Sequence, residues 1–153
     1  MQCDLQQDSF LAALDVKSGK QVWRVTRDEV PSWGTPTVCE TKDGPLLITN
    51  ATRAVRGYHA LDGELRWRLE GNSAITVPTP LVAHDLVYVT SGYRPIQPIY
   101  AIRLSAKGDI SLGENEDRNE AVAWSTMRGG PYLPTPLVYG NYLYVCSNSG
   151  ILT

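Results

Sequence analysis

The chain has 153 residues, the size of one ordinary domain, with 42% hydrophobic and 20% charged residues and a formal net charge of −2. These values are those of a globular protein. They exclude the broad basic field that recruits nucleic acid, and no apolar run reaches the roughly 18–20 residues that span a bilayer. The 4 Trp, 8 Tyr, 13 Gly and 10 Pro stand against a single Phe, a mix of flat aromatics and turn formers that predicts many short strands.

The opening residues, Met1 to Asp8, lack the basic start and apolar core of a signal peptide. Phe10–Leu14, a Ser18-Gly19 turn and a strand around Trp23 then predict a half blade over 9–26. Thr35-Pro36 opens a first complete blade over 35–69, with turns at Asp43-Gly44 and Asp62-Gly63. Thr79-Pro80 opens a second over 79–126, with a turn at His84-Asp85. Thr135-Pro136 opens a last half blade over 135–153, turning at Gly140-Asn141. No stretch of useful length has the 3.6-residue period of an amphipathic helix.

The repeat is set by tryptophan. Trp23, Trp67 and Trp124 precede the prolines of the three Thr-Pro pairs by 13, 13 and 12 residues. The Trp-to-Trp spacing is 44 residues, then 57. Four short antiparallel strands, A to D, in about 44 residues make one blade of a β-propeller. The expected fold is therefore all-β, with about three blades' worth of strands in an incomplete ring. The longer third period comes from an insertion at 109–119: the glycine-to-tryptophan step is 4 residues at Gly19 and Gly63 but 16 at Gly108. Its polar composition predicts a solvated loop or an extended C–D hairpin. It lacks the spacing of a calcium loop.

Ala13-x-Asp15-x-x-Ser18-Gly19-x-x-x-Trp23 resembles the repeat motif of pyrroloquinoline-quinone-type propellers. That class includes quinoprotein alcohol dehydrogenases and the propeller lipoprotein of the outer-membrane β-barrel assembly machinery. Trp33-Gly-Thr-Pro36, Arg56-Gly-Tyr58, Val77-Pro-Thr-Pro80, Gly130-Pro-Tyr132 and the stretch from Ser147 carry the likeness along nearly the whole chain. The motif decays: Gly57, His59 and Asp62 replace Ala, Asp and Ser in the second repeat, and Arg103 stands in the Asp position of the third. The resemblance implies that Gly19, Trp23, Gly63, Trp67 and Trp124 are blade-docking residues and not cofactor stackers.

The same resemblance implies a periplasmic or extracellular parent and offers three functions. The first is a non-catalytic binding or assembly scaffold of the bacterial envelope, with no cofactor. The second is a fragment of a quinone-dependent dehydrogenase. Such enzymes carry adjacent cysteines and a Glu/Asn/Asp calcium set, none of which can be assigned here. The third is a carbohydrate-binding propeller, with Trp33, Tyr93 and Tyr132 as stacking platform.

Strand order sorts the loops onto two faces. The D–A and B–C loops gather Arg27, Trp33, Arg53, Arg56, Tyr93, Arg94, Arg128 and Tyr132, residue types that interfaces favour. This face is the candidate site for a protein or peptide partner, acidic in character. The A–B and C–D turns gather the lysines, among them Lys17, Lys20, Lys42 and Lys107. An open ring also predicts self-association through uncovered blade faces and strand edges. Cys3, Cys39 and Cys146 show no metal-binding spacing. The latter two are expected to act as small apolar strand residues, with one disulfide open to the set in an oxidising compartment. His59 and His84 are expected to be isolated turn residues, and the glycosylation-like Asn50-Ala-Thr52 a chance match.

Overall fold

The computed structural model describes residues 1–153. It is all-β, without any helix, and so without one long and apolar enough to cross a membrane. The first sheet holds β1 (Gln2–Cys3), β2 (Phe10–Leu14) and β3 (Gln21–Thr26) in that order. The first complete blade holds β4 (Thr37–Thr41), β5 (Gly44–Thr49), β6 (Val55–His59) and β7 (Leu65–Leu69). The next holds β8 (Leu81–Ala83), β9 (Leu86–Thr90) and β10 (Ile99–Arg103), with β12 (Val122–Thr126) outermost. A final pair, β13 (Leu137–Tyr139) and β14 (Tyr142–Tyr144), is followed by a tight turn that brings Leu152 back to bridge Cys146. The pairing is antiparallel within every blade, and the sheets do not close into a ring.

Each C–D hairpin is built alike. Trp23 faces Ala13, Trp67 faces Gly57 and Trp124 faces Ala101 across the two strands. Immediately after that Ala or Gly, every one of the three pairs carries a β-bulge. A bulge strengthens the local twist and re-aims the neighbouring side chain. Here it recurs where the indole must leave the sheet plane. Gly57 is the one departure from Ala, and the reason is steric: a Cβ there would overlap the indole of Trp67, which lies across β6 and is only 1% exposed. The altered second repeat is thus an adjustment to a more deeply buried ring.

The turn glycines Gly19, Gly63 and Gly108 all sit at positive φ, a backbone state that other residues adopt at a cost. Gly63 also docks. A Cβ on it would lie 2.8 Å from the Trp23 ring, whose Nε1 donates to the Ala60 carbonyl at 3.0 Å. Trp23 is therefore held by the following blade. Gly108 has open space around it and serves the turn. Trp124 is half-buried against Tyr88 of its own blade, ring centroids 6.2 Å apart.

The main core lies between the two complete blades, where Ile48, Val55, Trp67, Leu69, Val87, Val89, Tyr100, Ile102 and Val122 are closed off from solvent. Strands β6, β9 and β10 are buried along most of their length because sheets cover both faces. Burial also pushes the Tyr100 phenol up to about 12, while its hydroxyl donates to the Gly71 carbonyl at 2.8 Å. By contrast β3, β13 and β14 are half open.

The Thr-Pro pairs mark where the innermost strands meet. Thr37, just after the first pair, donates its hydroxyl to the Pro80 carbonyl at 2.6 Å. The Thr79 amide donates to Thr135 Oγ1 at 3.1 Å. These contacts stitch one A strand to the next.

The insertion departs from the sequence expectation at its start. Gly108–Asp109 form β11, which adds in parallel to the outer edge of β7, and Ile110 is 4% exposed within the core. Two apolar residues in a polar run, Ile110 and the partly buried Leu112, anchor the segment. Beyond it, Glu114 to Arg118 are exposed as expected. All three cysteines are free. Cys39 is half-buried in β4, and its thiol is pushed up by desolvation first and by Glu40 second.

Gly57→Ala should lower stability by about 1–3 kcal/mol through overpacking, and Trp67→Ala by about 3–5 kcal/mol through the cavity it leaves. Urea unfolding followed by tryptophan fluorescence measures both. A neutral Gly57→Ala would show that the ring has room to move.

Candidate functional site

The loops between B and C strands and between D and A strands occupy one face, and their backbone is fixed by a buried amide network. Asn50, fully buried, donates to the carbonyls of Pro78 at 2.8 Å and Thr90 at 2.9 Å. Its own Oδ1 accepts from Asn72 at 2.9 Å. Asn72 in turn accepts from Ser91 Oγ, which accepts the Ser73 amide at 3.1 Å. Ser73 Oγ then accepts the amide of Tyr93 at 3.2 Å. This chain of bonds crosses from one blade to the next and ends at an exposed aromatic. It also uses up the Asn50 side chain, so the glycosylation-like triplet is inaccessible.

Two glycines complete the placement of that aromatic. Gly92 and Gly130 lie backbone to backbone, with no room for a Cβ on either, and the Gly130 amide donates to the Gln97 carbonyl at 2.9 Å. The loops after β9 and after β12 are thereby pressed together. Tyr93 and Tyr132 come to a centroid distance of 5.4 Å with their planes tilted by 58°. They line a cleft of about 620 Å³ with Arg94 and Gln97 on one side and Ser147 to Ser149 on the other. Arg94 and Arg128 are exposed and enter no salt bridge.

A second patch lies over the first blades. Trp33 is 59% exposed, and its amide donates to the Thr76 carbonyl at 2.8 Å. Arg53 is exposed beside Thr52, whose hydroxyl bonds the carbonyls of Pro31 and Ala74.

Two of the eight residues expected on this face are not on it. Arg27 and Arg56 are 6% and 5% exposed, inside the seam between the first sheet and the next blade. Arg27 Nη1 lies 3.2 Å from Asp4 Oδ1, and Nη2 lies 3.9 Å from Glu29 Oε1 and 3.3 Å from Thr49 Oγ1. Arg56 pairs with Glu29 and, at 2.6 Å, with Asp28. Glu29 also accepts the amides of Arg53 at 3.0 Å and Ala54 at 3.2 Å. Charges so far from water must be paired, and this cluster pairs them across a blade boundary. Tyr58 packs against it; desolvation raises its phenol, with Arg27 and Arg56 pulling the other way. Strand order alone placed both arginines in loops. Asp4, near the start and in no motif, gave no sequence signal of the partner that draws Arg27 inside.

On the opposite face Lys107 meets Asp43 at 2.7 Å; the hydrogen bond it donates, and then its charge, hold the Asp43 carboxyl low. His59 is not isolated there. Its Nδ1 lies 2.8 Å from Asp62 Oδ2 within the C–D turn. His84 Nε2 contacts the Gly140 carbonyl at 2.9 Å, tying two A–B turns together. No cluster of three or more His, Cys, Asp or Glu side chains has metal-binding geometry.

The sequence profile of the family described as outer membrane protein assembly factor BamB, a quinone-type repeat family, matches residues 7–153. The chain belongs to that family. No curated protein gives a significant match to it. A bound quinone, as the repeat type implies, would be a flat polyanion needing parallel aromatic surfaces and unpaired buried cations. The residues present do not fit it. Trp67 is packed onto Gly57, the Tyr93 and Tyr132 planes are tilted, and the buried arginines already face Asp4, Asp28 and Glu29.

Removing Arg27 would leave Asp4 buried without its cation, so Arg27→Ala should cost about 3–5 kcal/mol. Arg53→Ala on the open surface should stay within about 0.5 kcal/mol. Thermal and urea unfolding of the two variants compares them directly; equal effects would mean that the buried cluster is not what joins these blades.

Proposed function

We propose that this chain is a non-catalytic propeller segment that serves as a binding or assembly scaffold in the bacterial envelope, in the periplasm, as the description of its family supports. Its partner is a protein that presents an acidic, extended segment to the loop face. The observation that carries this reading is the cleft between Tyr93 and Tyr132, with the unpaired Arg94 and Arg128 on the same pair of loops. Aromatic rings held in place by backbone contacts lose little entropy on binding, and Arg pairs with carboxylates in two-pronged fashion. The carbohydrate reading has less support. Tilted by 58°, the two tyrosines form a notch and not a flat ledge, and Trp33 belongs to the other patch.

A photo-crosslinking residue at position 93 should yield one dominant adduct with an envelope protein, and one at Lys42 on the opposite face should not. With the purified partner, Arg53, Arg94 and Arg128 changed together to Ala should weaken binding by at least about tenfold. Unchanged affinity would end the proposal.

Self-association is the second element. Leu137, Tyr139, Tyr142 and Ile151 on the last sheet, and Val22 on the first, are each more than 60% exposed, an apolar surface of the kind that associates. Light scattering over a concentration series should show dimers or larger species, dissociated by Tyr139→Glu with Tyr142→Glu. A monomer at high concentration would refute it.

A further inference from the structure

The outer edge of β7 is occupied by the chain itself, and this occupancy defines a strand-binding seat. Gly108 and Asp109 run parallel to Trp67 and Arg68. The Ile110 amide donates to the Arg68 carbonyl at 2.9 Å, and the Glu70 amide donates to Ser111 Oγ at 3.0 Å. Asp109 Oδ2 lies 3.8 Å from Arg68 Nε. The seat therefore takes a small residue, a carboxylate and a branched apolar residue in succession.

The same seat recurs one blade earlier, and there it is empty. Trp23-Arg24 on β3 stands where Trp67-Arg68 stands on β7, four residues after a left-handed glycine and with the same bulge. Strand β3 pairs only with β2. Because the Arg27 amide donates inward to the Ser9 carbonyl, the alternation of an antiparallel pair points the backbone groups of Arg24 and Thr26 outward. The next blade does not cover them, since its C–D turn doubles back at Gly63 without an insertion. Arg24 has no carboxylate partner and is held over the Phe10 ring at 3.5 Å. Val22 and Leu61 stand exposed at 62% and 67%. At β12, by contrast, Ser125 Oγ donates to the Asp117 carbonyl, so the insertion already lies against that strand.

We propose that the outer edge of β3 binds an extended segment of a partner protein as an added parallel strand, with a carboxylate opposite Arg24 and a branched apolar residue following it. Backbone bonding supplies the affinity in such additions, and alternate side chains the selectivity. This rim site is separate from the loop face. A second copy of the chain is a poor occupant, because its β11 is engaged on its own β7.

The test uses the full chain, labelled with 15N, and a capped peptide of residues 106–113, which carries the Gly-Asp-Ile sequence. Titration to millimolar peptide should shift the amides of Val22 to Thr26 and slow hydrogen exchange at Thr26. The peptide with Ile110→Pro, which lacks the bonding amide, should not bind, and Arg24→Glu in the protein should weaken binding by about tenfold or more. No shift in β3, shifts confined to β7, or equal binding of the proline peptide would each overturn the proposal.

Discussion

Every blade depends on a tryptophan that faces a residue with at most one side-chain carbon. An indole cannot lie over a strand whose own side chain stands beneath it. Ala13, Gly57 and Ala101 provide that space, and the bulge after each turns the strand so that the ring leaves the sheet. Where the ring is most deeply buried, at Trp67, even a methyl group is too large, and the residue is Gly57. At Trp23 the ring reaches the next blade, bonding Ala60 and packing on Gly63. One aromatic thus sets the hairpin's twist and, in that blade, its distance from the neighbour.

Two polar systems then determine what the packed blades present. Around the inner strands, Thr37 and Thr79 link successive Thr-Pro segments. Between the loops, Asn50, Asn72, Ser91 and Ser73 pass hydrogen bonds to Tyr93. Satisfied buried networks of this kind are rigid, because any shift leaves a donor or acceptor unpaired out of reach of water. Tyr93 and Tyr132 are consequently fixed at the mouth of a cleft without being buried themselves. The Asp4–Arg27–Glu29–Arg56 cluster has the other role: its charges are consumed in joining the first sheet to the next blade and offer nothing to a ligand.

Loop residues and rim strands are independent surfaces of this fold. The loop face is shaped by side chains on connections, which vary without disturbing the blades. The rim consists of backbone, and whether it is open depends on whether a neighbouring connection is long enough to reach it. A 16-residue glycine-to-tryptophan step supplies a strand to β7, whereas a step of 4 leaves β3 uncovered.

The sequence by itself determined the all-β class, the strand order and the Trp and Thr-Pro repeat, because these follow from local patterning: alternation, turn residues and spacing. The positive φ at Gly19, Gly63 and Gly108 and the loop positions of Tyr93 and Tyr132 belong to this legible part. Only the tertiary structure decided which arginines face water. Arg27 and Arg53 look alike in sequence, but a carboxylate 23 residues upstream, Asp4, draws the first inside. It likewise decided that Ile110 and Leu112, the two apolar residues of a polar insertion, would carry β11 onto β7. Contacts between distant segments depend on the shape of the space left by other blades, and that space has no counterpart in local pattern.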